Sequence, residues 1–110
     1  MGVKSALLKI IGGSASVSTM EPTSVISGLC SVASGTMEMK DVIEQFMEEL
    51  DCYVGSGLKY MSNYYKTGKD PYKIIPILNT IKNVLNQCGH ENVYYSFETA
   101  LKLYVKYKKE

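Results

Sequence analysis

Apolar residues recur along most of this chain at the three- and four-residue steps of a helix, and only rarely in the alternation of a half-buried strand. The first run, Val3, Leu7, Leu8, Ile10 and Ile11, sets Lys4 and Lys9 elsewhere on the wheel and predicts a short amphipathic helix stopped at Gly12-Gly13. A Ser-rich loop over 13–20 follows. A second helix starts near Pro22 and runs through Val25, Ile26, Leu29, Cys30 and Val32 to Gly35. Ser27, Gly28, Ser31 and Ala33 keep it narrow, which suits burial against close neighbours, although so weak a pattern also admits a β-rich reading.

Thr36 offers a side-chain cap for a third element. Met39, Ile43, Phe46, Leu50, Tyr53 and Val54 then keep helical phase, and the phase continues past Gly55-Ser56-Gly57 into Leu58, Met61, Tyr64 and Tyr65. A loop usually resets such a phase, so the pattern predicts one long central helix over about 37–66, closed by Gly68. Asp70-Pro71 reads as a cap and a first-turn proline for an apolar helix through Ile74, Ile75, Ile77, Leu78, Ile81, Val84 and Leu85, ending at Gly89. Pro76 marks either a first-turn kink or the true start. Asn92 would cap a last helix with Tyr94, Phe97, Ala100, Leu101, Tyr104 and Val105 on one face. Residues 93–108 also alternate as a strand would. Ala100, the lysine-rich end and the lack of a second strand to pair with favour helix.

The expected fold is therefore all-α, a compact bundle of four to five helices in a single domain over 1–110. Met39, Ile43, Phe46, Leu50, Ile74, Ile77, Leu78, Ile81, Leu85, Phe97 and Leu101 should form its core. Composition shifts near residue 36, from a low-charge, small-residue segment over 1–36 to a charged, tyrosine-rich helical body over 37–110. The first part is too short for a core of its own.

Charge narrows the functional classes. The chain has 110 residues and a net charge of +1, so no bulk basic field exists to hold a nucleic acid. All of its basic side chains are lysines, and the missing arginine removes the usual fork for bidentate anion recognition. The three cysteines, Cys30, Cys52 and Cys88, lack metal-ligand spacing and read as buried, reduced thiols in a cytoplasmic protein. Lys9 interrupts an apolar run too short for a signal-peptide core. Met-Gly is followed by Ala6 where a myristoylation signal needs Ser or Thr. No stretch has the roughly 20 apolar residues of a spanning helix.

Candidate chemistry is sparse. A dinucleotide fingerprint would need a third glycine where Tyr60 stands and a strand leading into the turn, and a phosphate loop would need Lys-Ser or Lys-Thr after it. Gly55 and Gly57 therefore read as helix-packing positions, or as a hinge between two shorter helices. Glu44, Glu48, Glu49 and Asp51 read as a solvated acidic face, pairing in part with Lys102, Lys106 and Lys109. A di-iron bundle would need Glu-x-x-His on two helices, and the one histidine, His90, follows a helix stop. His90 and Cys88 could touch, but no orienting carboxylate or oxyanion hole accompanies them. No catalytic residues, metal or cofactor are expected.

Nine tyrosines need an account. A helix buries one side, so the adjacent pairs Tyr64-Tyr65 and Tyr94-Tyr95 cannot all be core, and tyrosine is enriched at protein interfaces. The pattern points to a non-enzymatic interaction protein, an inhibitor, adaptor or regulator, docking an unknown protein partner through Tyr60, Tyr64, Tyr65, Lys66, Tyr94 and Tyr95. Nucleic acid is not expected. One alternative is a self-assembling subunit that uses the small-residue N-terminal helices. Another is a membrane-surface accessory protein held by the first helix, which two lysines and no aromatic make a weak anchor.

Overall fold

A computed structural model describes residues 20–108. The amphipathic segment 3–11, most of the Ser-rich loop and Lys109 lie outside the described residues. Five helices follow in order: α1 Thr23–Ala33, α2 Met39–Val54, α3 Gly57–Thr67, α4 Ile74–Gln87 and α5 Glu91–Lys108. No strand occurs among the described residues, and the protein is an all-α bundle. The stretch that fits both periods is helical throughout α5. This helix is the hub of the bundle and packs against each of the other four.

The core forms where the helical stripes meet. Phe46 of α2 and Phe97 of α5 stand edge-to-face with ring centroids 5.7 Å apart. Leu29, Val42, Leu50, Met61, Ile81 and Leu85 are fully buried in the same cluster. Met39 and Ile77, expected in the core, are only half-buried. Met39 is the first residue of α2, and Ile77 flanks the ridge Ile74, Leu78, Ile81, Leu85 that carries the burial of α4. The cysteines also depart from expectation: Cys30 is half-buried, while Cys52 and Cys88 are exposed and unpaired.

The expected central helix over 37–66 is two helices. Gly55 takes φ 93° and ψ −52°, a conformation closed to residues with a Cβ, and Ser56 is extended. The break supplies its own caps. Asp51 Oδ1 accepts the Gly57 N–H at 2.5 Å, and Ser56 Oγ accepts the Lys59 N–H at 3.4 Å. Phase hid the break because Leu50 and Met61 lie about three helical turns apart and both face the same core, one from each helix.

Three cap assignments shift as well. Thr36 does not start α2, whose N-cap is Glu38. Its N–H and hydroxyl both donate to the Ser31 carbonyl, at 2.9 and 3.2 Å, and so close α1. Helix α4 begins at Ile74, after Lys73 in a left-handed conformation. Asp70 still caps it from a distance, with Oδ1 accepting the Ile74 N–H at 2.9 Å and Oδ2 the Ile75 N–H at 2.7 Å. Pro76 thus falls in the first turn, where its missing N–H costs nothing. Helix α5 starts at Glu91, so Asn92 lies inside it. The His90 carbonyl accepts the N–H groups of Val93 and Tyr94 at 3.0 and 3.3 Å. No helix among the described residues is long and apolar enough to cross a membrane.

Candidate functional site: a tyrosine-lined groove

Helices α3 and α4 flank α5, and a groove of about 450 Å³ runs between them. Its floor is apolar: Met61, Phe97 and Leu101 are almost wholly buried. Tyr64 and Tyr65 form the α3 side, with centroids 5.6 Å apart and planes tilted by 59°. Ile75 and Asn79 form the α4 side. Tyr94, Glu98 and Lys102 enter from α5, one turn apart from each other on one ridge.

Its electrostatics centre on Glu98, a half-buried carboxylate. Burial raises the Tyr65 hydroxyl well above the usual phenol range, and the charge of Glu98 raises it further. The same two causes, in the same order, push Tyr94 up to about 12. Both phenols are neutral at ordinary pH and can donate or accept hydrogen bonds. Among the described residues, no lysine comes within 4.0 Å of any carboxylate, so neither Glu98 nor the acidic face of α2 is paired with the basic end of α5.

The six residues expected to bind a partner divide by helical face. Tyr64, Tyr65 and Tyr94 converge on the groove. Tyr60 is engaged elsewhere: its hydroxyl donates to Asp70 Oδ1 and accepts the Tyr72 N–H at 2.9 Å, which ties α3 to the loop before α4. That bond, together with burial as the larger cause, pushes Tyr60 up to about 12. Tyr95 lies off the groove with the Lys82 ammonium 5.6 Å above its ring. Lys66 borders a separate depression with Lys59 and Lys108.

The two glycines have different roles. A Cβ on Gly57 would press on Asp51 and Leu50, so this residue is a close-approach site. Gly55 has nothing within 4 Å of its absent Cβ and acts as a helix terminator, not a packing position. The acidic face of α2 is also mixed. Glu44, Glu48 and Asp51 are exposed, but Glu49 is 6% exposed and accepts a hydrogen bond from Ser24 Oγ of α1. Its place beside α1 took it out of solvent. His90 donates its N–H to the Leu85 carbonyl at 2.8 Å and so closes α4, next to the exposed Cys88.

Sequence reasoning missed Glu98 and Asn79. The four-residue step Tyr94, Glu98, Lys102 was a usable signal for the first, and nothing marked the second. Fold and groove together define a small helical bundle with an aromatic-lined surface cleft. No protein-family model matches the chain, and no curated protein or solved structure does either.

Proposed function

We propose that this chain is a non-enzymatic interaction module, of the inhibitor, adaptor or regulator kind, which docks a protein partner in the groove between α3, α4 and α5. The convergence of Tyr64, Tyr65, Tyr94 and Glu98 over an apolar floor carries the reading. Aromatic anchors around a concave, partly apolar cleft are what protein interfaces use as hot spots. Three unpaired cysteines, two of them exposed, support a reducing, cytoplasmic setting. Capture of a stoichiometric partner from the native host, compared between the wild type and two variants, tests the proposal. Tyr65→Ala should abolish capture, and Tyr95→Ala, off the groove, should leave it intact. Equal capture by all three proteins would refute the groove as the docking surface.

Self-association is the second reading, and the outward ridge of α5 favours it. Tyr95, Leu103 and Tyr107 on this ridge are 49%, 48% and 72% exposed, with Ser96, Thr99 and Ala100 leaving a shallow dent between the first two. Within α1, Gly28 packs inside the chain against Val42, so that part of the small-residue segment already has a neighbour. Light scattering over a concentration series, on the wild type and Leu103→Lys, tests it. A monomer at every concentration for the wild type would remove it.

A further inference from the structure

The chemistry of the groove selects an occupant more narrowly than its shape does. Three tyrosines, Tyr64, Tyr65 and Tyr94, line it, and an aromatic ring attracts a cation through the negative face of its quadrupole. Glu98 adds a full negative charge, half-buried, with no cation partner among the described residues. An apolar occupant would bury this carboxylate further without pairing it, which is costly. An anionic occupant would meet it directly. The one positive group lining the groove among the described residues, Lys102, is exposed on α5 four residues beyond Glu98, so solvent and salt screen it. The floor of Met61, Phe97 and Leu101 calls for a hydrocarbon stem below a charged head. Lysine and arginine side chains have that construction.

Resting on the reading that the groove docks a protein, we infer that the group it anchors is a basic side chain of the partner, a lysine or an arginine. The ammonium or guanidinium sits among Tyr64, Tyr65, Tyr94 and Glu98, and the methylene stem covers the floor. A volume of about 450 Å³ is ample for one such side chain and its immediate backbone. The recognition is cation–π attraction reinforced by one carboxylate, a combination that works for organic cations and gives nothing to their neutral isosteres.

The full chain, labelled with ¹⁵N, is titrated with Nα-acetyl-lysine methylamide, its arginine counterpart and its norleucine counterpart, and amide shifts are followed. The two cationic probes should shift Tyr64, Tyr65, Asn79 and Glu98, and the norleucine probe should bind at least about fivefold more weakly. Glu98→Gln should weaken the cationic probes about fivefold and leave the norleucine probe unchanged. Lys102→Ala should strengthen the cationic probes, a sign opposite to any loss of fold. Equal binding of the lysine and norleucine probes, or no shift in the groove with any probe, overturns the inference. Partner capture separates the two levels. If Tyr65→Ala loses the partner and Glu98→Gln keeps it in full, docking stands and the cationic anchor falls. If neither variant loses it, both fall.

Discussion

Replacing Gly57 by alanine sets two physical arguments against each other. Helix propensity favours alanine over glycine by up to ~1 kcal/mol. The packing at this position argues the opposite. A Cβ on Gly57 would stand 2.9 Å from Asp51 Oδ1 and 3.1 Å from both Cβ and Cδ2 of Leu50. Leu50 is fully buried in the core cluster and has little room to withdraw. Asp51 holds the Gly57 N–H at 2.5 Å, so moving its carboxylate aside gives up the bond that starts α3. Overpacking of this kind costs about 1–3 kcal/mol. An N-terminal hydrogen bond of the Asp51 type contributes about 1 kcal/mol. Set against the propensity gain, the net loss is about 1–3 kcal/mol, with Gly57→Leu at or beyond the upper end. Urea unfolding followed by far-UV circular dichroism reads it directly. The midpoint should fall by about 1–2 M with the slope unchanged, for the slopes usual in a domain this small. A rise in the midpoint for Gly57→Ala would show that propensity wins and that the close approach is relaxed at no cost.

Two further outcomes test the loops and the groove. Asp70→Ala removes the cap of α4 and the acceptor of the Tyr60 hydroxyl together, so it should cost about 2 kcal/mol against about 1 for Tyr60→Phe. In thermal unfolding that is a drop of roughly 4 °C or more per kcal/mol, and a double-mutant cycle with no coupling would deny the Tyr60–Asp70 bond. Tyr60 and Tyr94 are each raised from 10.0 to about 12, so the folded state holds their protons longer than the unfolded chain does. Their contribution is fully present below pH 10.0 and is lost as pH rises toward 12, which urea midpoints across that range should follow and which a flat profile would contradict.

The helical class was legible because α4 and α5 bury long stripes of regular period, and because Gly35, Gly68 and Gly89 stand where helices end. Three things were not. Asp70 announced a cap, but nothing local said that Lys73 would take a left-handed turn and delay the helix to Ile74. Tyrosines could be counted but not sorted. Tyr94 and Tyr95 are neighbours in sequence, yet about 100° apart on α5, so one is 3% exposed beside the groove and the other 49% exposed beneath Lys82. Glu98 shows in the sequence only its own-helix neighbours Tyr94 and Lys102, because Tyr64 and Tyr65 reach it from α3.

The break at Gly55, which the sequence offered only as the alternative of a hinge between two shorter helices, matters most, since the groove depends on it. In one straight helix, each residue past Val54 would add about 1.5 Å along the axis of α2, and Tyr64 would lie roughly 15 Å beyond its end. The turn through Gly55 and Ser56 instead brings α3 back against both α2 and α5. Only that return sets Tyr64 and Tyr65 across from Tyr94 and Glu98. Gly55 permits the turn through its backbone conformation, and Gly57 permits it to be tight by lacking a side chain above Leu50. Neither glycine lines the groove. They act on it through geometry, so substitutions at either should weaken occupancy of the groove as well as stability. Substitutions at Tyr65 or Glu98 should change occupancy alone.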